Sequence, residues 1–325
     1  MQSRRSFLAI AAAVALAGCA PSPVVRTAKP SSSLIPGTQQ LSDAATNEQG
    51  LATIAAAADE RAGAWNLSAA MAAWCRGAAE AHQAHVTTLC RADPFGGVNA
   101  DNSPVITPAS PPAVTVSDRA SLITTLANSY GDAADRLSTS LSEAAPGPTA
   151  MLWASLYCFA RAGAATLAAH PDGAAPGAAP VVGQAVPTVI TVGTRADRLS
   201  ALLSRVDALR FGLETMIGRS ADTRTDMKQR RTAVDNMRNE LAAQLGGSAA
   251  GPAISYELPG DVNDRGAWET IWGELESAVL SGWIALAAAS AARSDDRSSA
   301  VSGIDAQCLQ PATHGIGLAY WPGWI

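Results

Sequence analysis

Apolar residues recur at helical spacing through most of this chain. Residues three or four positions apart lie on one face of an α-helix, so a stripe with that spacing marks a face that packs into a core. The spacing is especially regular in residues 117–146, 194–218 and 264–292. The three stripes comprise Leu122, Leu126, Tyr130, Leu137 and Leu141; Leu199, Leu202, Val206, Leu209, Leu213 and Ile217; and Trp268, Trp272, Leu275, Val279, Trp283 and Leu286. This pattern predicts an all-α protein.

Segments rich in proline and glycine divide the chain into eight predicted helices, in two groups of four. The first group covers residues 49–63, 67–91, 117–146 and 148–170. The second group covers residues 194–218, 221–245, 264–292 and 296–318. Pro311 predicts a kink in the last of these helices, because a proline inside a helix removes one hydrogen bond.

In each group the connection between the second and third helices is long. Residues 92–116 and 246–263 can run back along a helix of roughly 35 Å, which places the second and third helices parallel. That connectivity is typical of ferritin-like bundles. We therefore predict two tandem ferritin-like four-helix bundles, each with a long crossover between helices two and three. They cover residues 48–170 and 195–325 and are joined by a linker of residues 171–194.

The first residues have the features of a lipoprotein signal peptide of the twin-arginine type, predicted to cover residues 1–18. Arg4 and Arg5 precede an apolar stretch that is too short to span a bilayer. The stretch ends at the lipobox Leu16-Ala17-Gly18-Cys19. An ordinary secretory signal with an incidental cysteine is the alternative, but the two motifs occur together in the expected order and spacing. We therefore expect twin-arginine export and lipidation of Cys19.

The next segment, residues 19–47, is rich in proline, serine and threonine and lacks periodic apolar residues. We interpret it as a flexible tether that holds the helical bundles away from the membrane. The predicted location is the outer face of the cell membrane, where acyl chains on Cys19 provide the anchor. A protein partner in the envelope is a further expectation.

The composition favours a globular protein that does not bind nucleic acid. Hydrophobic residues make up 48% of the 325 residues and charged residues make up 16%, which indicates a globular body rather than a disordered one. The formal net charge is -5, whereas nucleic-acid binding needs clustered lysine and arginine. We therefore expect no nucleic-acid partner.

Four cysteines remain beside Cys19, in a chain expected to reach an oxidising compartment. Cys75 and Cys90 share a predicted helix that separates them by roughly 22 Å, which is too far for a disulfide bond. Cys158 could pair with one of them, and Cys308 would then be a free buried thiol. No Cys-x-x-Cys spacing occurs, so we expect no cysteine-based zinc site.

Three segments of the second half carry a resemblance to a known family. They are Gln229-Arg230-Arg231 through Leu245-Gly246, Tyr256-Glu257-Leu258-Pro259 followed by Val262 and Asp264, and Trp321-Pro322-Gly323. With these segments, residues 195–325 resemble a ferritin-like domain family of unknown function found mainly in actinobacterial proteins. The resemblance implies a ferritin-like fold and no particular activity.

The second half lacks the ligands of a di-iron centre. Such centres use a glutamate from each of two helices and a Glu-x-x-His pair from each of the other two. No Glu-x-x-His occurs here, and the available groups are Glu214, Asp235, Glu274, Glu276 and His314. Arg230 and Arg231 fall where the bundle interior begins, where they would repel a dication. We expect them to pair with Asp235 or Glu214.

The first half carries one candidate pair of metal ligands. His82 and His85 are three residues apart on a predicted helix, on the face that also carries Trp74. Both histidines should therefore point inward, whereas Glu80 lies about 200° from His82 and cannot chelate with it. The fourth helix offers no ligand along its length, which argues against a di-iron site. The alternatives are a single metal ion or two structural histidines.

We expect no bound metal ion and no other cofactor. If a single ion binds, the predicted ligands are His82 and His85 together with a carboxylate from the first or third helix. The four candidate carboxylates are Asp59, Glu60, Asp132 and Asp135.

No catalytic motif is recognisable, whether G-x-S-x-G, a P-loop, a Rossmann fingerprint or H-E-x-x-H. The sequence therefore favours a membrane-anchored, non-catalytic envelope lipoprotein whose ferritin-like module binds a partner or plays a structural role. The alternative is a metal-binding or redox protein that uses a site in the first bundle. A third hypothesis is the binding of an apolar ligand between the helices.

Overall fold

The computed structural model describes residues 37–97, 103–111, 116, 118–174, 177–181, 187–188, 190–220, 222–246 and 251–324. These residues form helices and loops, and three isolated bridges are their only β-type pairings. The all-α prediction is confirmed. Arg4, Arg5 and Cys19 lie outside the described residues, so the export signal and the lipid anchor stay predictions. No helix in the described ranges is both long enough and apolar enough to cross a membrane.

Eight long helices are present in this part of the chain, as predicted. The first four are α1 (Thr38–Glu60), α2 (Ala69–Leu89), α3 (Arg119–Glu143) and α4 (Pro148–Ala169). The second four are α5 (Arg195–Arg219), α6 (Thr225–Leu245), α7 (Trp268–Ala289) and α8 (Asp295–Gln307). A 3-10 turn (Arg265–Ala267) precedes α7, and the short helix α9 (Gln310–Thr313) follows α8.

Helix α1 begins at Thr38, well before the predicted start at residue 49. Residues 38–47 belong to this helix, so the prediction of a tether that extends to residue 47 is wrong for them. Leu41, Ala45 and Glu48 are buried at helical spacing on one face. Because two of these side chains are a small alanine and a glutamate, the apolar pattern of the face is weak in the sequence.

A capping side chain and a left-handed backbone conformation determine where two other helices begin. The side chain of Asp118 caps α3 and forms a capping box with Ser121. Helix α6 begins at Thr225, later than predicted, because Arg224 has a left-handed backbone conformation with φ of 39°. A residue in that conformation cannot be part of a right-handed helix.

The prediction of one last helix over residues 296–318 is wrong. Helix α8 ends at Gln307, and Pro311 lies in the first turn of α9 instead of at a kink. A proline ring clashes with the carbonyl group four residues earlier, here that of Gln307, and has no N–H to donate. Residues 314–324 continue without a helix.

The same helix pairings occur in the two halves of the chain. Helix α1 packs against α2 and α3, and α3 packs against α4; likewise α5 packs against α6 and α7, and α7 packs against α8. Helix α4 also packs against α7 and α8. The buried apolar residues of both halves therefore form one continuous core.

Arg297, near the start of α8, links the two halves at one end of this core. Its buried side chain donates hydrogen bonds to the carbonyl oxygens of Leu141 and Ala144 at the end of α3. It also donates to those of Ala287 and Ser290 at the end of α7. A cation is favourable there because the last carbonyl groups of a helix have no partners within it.

The four cysteines of the described residues are all free and buried. The pairing of Cys158 with Cys75 or Cys90, which the sequence left open, is not formed, and Cys308 is a free buried thiol.

Candidate functional site

Helix α2 brings two histidines into the core of the first half. Ser68 caps the helix by accepting a hydrogen bond from the N–H of Met71, and Trp74 shares the inward face with the histidines. His82 is 1% exposed and His85 is 0% exposed. The prediction that both histidines point inward is confirmed.

The carboxylate that meets these histidines belongs to Glu48 on α1, which is 2% exposed. Its Oε2 atom lies 2.6 Å from His82 Nδ1 and 2.7 Å from His85 Nδ1. We call these three residues the Glu–His–His cluster. The sequence prediction missed Glu48 because it started the first helix one residue later. The spacing of Leu41, Ala45 and Glu48 is the signal that could have placed Glu48 on the buried face.

The four carboxylates predicted from the sequence do not reach the histidines, so that part of the prediction is wrong. Asp59 instead pairs with Arg76, with two contacts of 3.0 Å. Glu60 at the end of α1 is exposed, as are Asp132 and Asp135 on α3. Asp59 lies about 16 Å further along α1 than Glu48, and the other three carboxylates are turned toward water, which solvates their charge.

The Nε2 atom of each histidine also has a hydrogen-bond partner. His82 Nε2 lies 2.6 Å from the hydroxyl oxygen of Tyr130 on α3, and His85 Nε2 lies 2.6 Å from the backbone carbonyl oxygen of Tyr320. A carbonyl oxygen can only accept, so His85 Nε2 carries a proton. Glu80 stays outside the cluster, as predicted, and its carboxylate accepts a hydrogen bond of 3.3 Å from the Tyr320 hydroxyl.

Aromatic side chains enclose the cluster. The ring of Phe159 on α4 lies edge-on to both histidine rings, at centroid distances of 5.3 and 5.1 Å. The ring of Trp321 lies 4.5 Å from that of His85, and Trp74 lies 5.9 Å from Tyr130. These rings keep water away, and the resulting low dielectric strengthens the interactions between the charged and polar groups inside.

The electrostatics of the cluster favour an ionised carboxylate. Burial by itself would raise the pKa of Glu48, but the neighbouring His85 and His82 outweigh it and lower the pKa to about 2. Burial lowers the pKa of His82 against the opposing effect of Glu48, and burial raises the pKa of Tyr130 well above its usual value. Tyr130 is therefore a neutral phenol beside a charged glutamate.

The hydrogen bonds also fix the number of protons in the cluster. His82 can donate from Nδ1 to Glu48 and accept from the Tyr130 hydroxyl as a neutral ring. His85 cannot be satisfied in this way, because Nε2 already donates to a carbonyl while Nδ1 faces the same carboxylate oxygen. The contact between His85 Nδ1 and Glu48 Oε2 therefore needs one more proton, held by the ring or by the carboxylate.

Polar groups in the interior of the second half form closed ion pairs. Arg230 donates to both carboxylate oxygens of Glu276, at 2.8 and 2.6 Å, so its predicted pairing with Asp235 or Glu214 is wrong. It reaches across to α7, where Glu276 is fully buried. Arg231 pairs with both Glu214 and Asp235, as predicted.

Asp207 and His314 in the second half are also paired, whereas Glu274 is exposed on α7. Asp207 on α5 accepts a hydrogen bond of 2.6 Å from Arg238 on α6. His314 stacks on Trp272 at 3.8 Å and bonds to Glu269. Among the described residues, the Glu–His–His cluster is the one group of three potential ligands close enough together to share a metal ion.

Comparison with known proteins gave no match. No family model matches this chain, and no curated protein and no solved structure matches it either. The resemblance to the ferritin-like family therefore stays a prediction. Evidence on the function therefore comes from the geometry of the Glu–His–His cluster.

Proposed function

We propose that this protein is a lipid-anchored envelope lipoprotein whose first half binds a single transition-metal ion at the Glu–His–His cluster. The observation that carries the proposal is the orientation of the two rings. Both Nδ1 atoms point at Glu48 Oε2, while Tyr130 and Tyr320 hold the Nε2 atoms. Histidine ligands bind a metal ion through one ring nitrogen and are oriented through the other. His82 and His85 both have this arrangement.

The chemistry of the three groups suits a divalent transition-metal ion. Two imidazole nitrogens and one carboxylate oxygen are ligands typical of zinc, copper, nickel and iron. Metal–ligand bonds of about 2.0–2.1 Å would place the ligand atoms roughly 3.3 Å apart in a tetrahedral arrangement. The two nitrogens lie 2.6 and 2.7 Å from Glu48 Oε2. Binding therefore needs side-chain shifts of less than about 1 Å, small compared with a rotamer change.

The charge of the cluster also favours a cation. The hydrogen bonds require one extra proton beside the carboxylate of Glu48. A bound dication would replace that proton and leave both rings neutral, with each ring donating from Nε2. Binding of a metal ion to such a site releases a proton, so the affinity rises with pH.

We also propose that the two halves are repeats of one ferritin-like bundle, with positions that correspond. The matching helix pairings support this. Glu48 and Asp207 each lie twelve positions before the last residue of their helices, α1 and α5. His82 and Arg238 each lie thirteen positions after the first residue of α2 and α6. Each half thus pairs an acid on its first helix with a basic residue on its second.

The difference between the two pairs supports metal binding in the first half. In the second half the guanidinium of Arg238 supplies a permanent positive charge to Asp207. In the first half Glu48 faces two imidazoles, whose charge depends on a proton or a metal ion. The position that corresponds to His85 is Leu241, which is buried and cannot bind a metal ion.

Metal titration of the purified protein tests the proposal. After chelator treatment, we expect the protein to bind one equivalent of Zn²⁺ or Co²⁺. Calorimetry measures the binding, and the visible spectrum of Co²⁺ reports its ligands. The Glu48→Gln, His82→Gln and His85→Gln variants should each weaken binding at least about a hundredfold, because two ligands remain. His170→Gln and His314→Gln, outside the cluster, are the matched controls. Unchanged affinity in the three cluster variants would contradict the proposal.

A metal-free role is the second candidate, and one observation favours it. With one extra proton, every hydrogen bond of the cluster is satisfied, as the ion pairs of the second half are. The cluster would then be a structural clamp between α1 and α2 in a module that binds an envelope partner. In that case metal titration gives no specific binding, and Zn²⁺ leaves the unfolding temperature unchanged.

A further inference from the structure

The Glu–His–His cluster has no open path to solvent. Its three side chains are between 0% and 2% exposed, and aromatic rings surround them. A metal ion from solution can therefore reach the cluster only after some part of the cover has moved. The structure indicates which part that is.

Three covering groups lie directly against the histidines, and two of them belong to long helices. Phe159 lies in the middle of α4, most of whose residues are buried, and Tyr130 lies in the middle of α3. Moving either ring out of the way would disturb a helix that packs into the core. The third cover is the segment Leu318–Trp324, which we call the strap.

The strap closes over His85 from the other half of the sequence. The carbonyl oxygen of Tyr320 accepts from His85 Nε2, and the ring of Trp321 lies 4.5 Å from the ring of His85. The strap is not helical, and glycines with positive φ lie near both of its ends: Gly315 with φ of 80° and Gly323 with φ of 77°. Glycine adopts this conformation without steric cost, which suits a hinge.

Few hydrogen bonds hold the strap, although its aromatic side chains Tyr320, Trp321 and Trp324 are buried and Trp324 stacks on Phe95. The N–H of Val181 donates to the carbonyl oxygen of Leu318 at 3.0 Å, and Trp324 Nε1 donates to the carbonyl oxygen of Thr188 at 2.9 Å. The Tyr320 hydroxyl donates to Glu80. No atom lies within 4 Å of a Cβ atom added at Gly315, so the space beside this residue is open. Because the strap is not part of a helix, it can lift these aromatic side chains out of the core by local opening while the helices stay folded.

We propose that the strap is the lid of the metal site, and that an ion enters and leaves only while the strap is lifted about Gly315. This inference rests on the proposed function, because it assigns a gate to that same site. It also makes the metal site of the first half dependent on a segment that follows the last helix of the second half.

A reversible crosslink tests the lid. Val181 and Ala319 form an isolated parallel bridge, and paired strands place their backbones about 4.8 Å apart, within the range that a disulfide spans. The Val181→Cys/Ala319→Cys double variant can be compared oxidised and reduced as the same folded chain. Oxidation should slow both uptake and release of Zn²⁺ at least tenfold, with the dissociation constant changed less than threefold. Equal rates of Zn²⁺ uptake and release in the oxidised and reduced forms would contradict the proposal that the strap is a lid.

A second measurement separates failure of the lid from failure of the proposed function. Diethyl pyrocarbonate modifies accessible imidazoles without any metal, and peptide mass spectrometry locates the product. Modification of His85 should be at least tenfold slower in the oxidised form, while His170 reacts at the same rate in both. A response at His85 without zinc binding would support the lid and refute the metal site. Zinc binding with no response in either assay would refute the lid alone.

The Trp321→Ala variant provides a test that needs no crosslink. It shortens the side chain that lies over His85 and keeps the backbone carbonyl of Tyr320. We expect uptake of Zn²⁺ and modification of His85 each to become at least fivefold faster. Unchanged rates for both would contradict the proposal even if the double-cysteine variant fails to fold.

Discussion

Arg297 Nη1 lies 2.7 Å from the carbonyl oxygen of Leu141, so a side chain of α8 caps α3 in the other half of the chain. The same guanidinium caps the end of α7, and no carboxylate is among its hydrogen-bond partners in the described residues. Helix dipoles rather than a counter-ion stabilise this buried cation. The hydrogen bonds that Arg297 donates to the last carbonyl groups of α3 and α7 thus join the two halves.

Replacing Arg297 should therefore destabilise the whole molecule. The Arg297→Met variant leaves several buried carbonyl groups without donors, which should lower the free energy of unfolding by about 2–4 kcal/mol. Urea unfolding monitored by circular dichroism measures this loss. The Arg76→Met variant, which removes an arginine paired with Asp59 at the surface, should leave the unfolding midpoint nearly unchanged. Similar effects for the two variants would show that Arg297 has no special role.

The buried thiols should be inert in the folded protein. Burial raises the pKa of Cys75 to about 12 and that of Cys308 to about 11. A thiol with a pKa three units above the solution pH is only about 0.1% thiolate, the reactive form. With Cys19 blocked by lipid, Ellman's reagent at pH 8 should therefore react slowly with the native protein and promptly with the other four thiols in denaturant. A single Val181→Cys variant, with a partly exposed thiol, is the positive control.

Stability should fall as the pH is lowered. The folded-state pKa of His82 is depressed by burial, so stability is lost as the pH falls below about 6.5, where the unfolded histidine takes up a proton. The folded-state pKa of Glu48 is about 2, below its ordinary 4.5, so its contribution is lost as the pH falls through that interval. The lowered pKa of Glu48 corresponds to a contribution on the order of 3 kcal/mol.

Thermal unfolding between pH 7.5 and pH 3.5, with a chelator present, measures this dependence. The Glu48→Gln/His82→Gln double variant removes both of these groups but keeps His85, and it should show a shallower decrease in unfolding temperature. Equal slopes in the two proteins would mean that the acid sensitivity arises elsewhere.

The lipid anchor gives a prediction on location. Cys19→Ala removes the only acylation site that the lipobox provides, so the exported protein should move from the membrane fraction to the soluble fraction. Fractionation and immunoblotting of cells that express each form measure this. Retention of Cys19→Ala in the membrane would point to a different anchor.

The twin-arginine motif gives a prediction on the export route. The Arg4→Lys/Arg5→Lys variant keeps both charges but loses the paired guanidinium groups, and it should accumulate inside the cell. Protease accessibility on intact cells distinguishes the exported from the retained protein. Undiminished export of the variant would indicate the general secretory route.

The sequence was sufficient for the helices whose faces are large and apolar. The stripes that contain Leu126, Leu209 and Trp283 placed three helices correctly within a few residues. Helix α1 was started too late because its buried face is built mainly from alanine and contains Glu48, and small side chains give little contrast with polar ones. The same error left Glu48 out of the predicted site.

The candidate site could be predicted only in part. The spacing of His82 and His85 relative to Trp74 was enough to predict that both rings point inward, because helical periodicity determines which residues share a face. The role of Tyr320 could not be read from the sequence. Its contact with His85 is made by a backbone carbonyl, which every residue type has, across a separation of 235 residues.

That separation has a consequence for synthesis on the ribosome. His85 emerges 235 residues before Tyr320, which corresponds to roughly 12–50 s at ordinary elongation rates of about 5–20 residues per second. Once α4 has emerged, the first four helices can fold for the rest of this interval while no strap exists to cover them. The proposed metal site would then be open in the nascent chain, and synthesis of the strap would close the proposed lid over it.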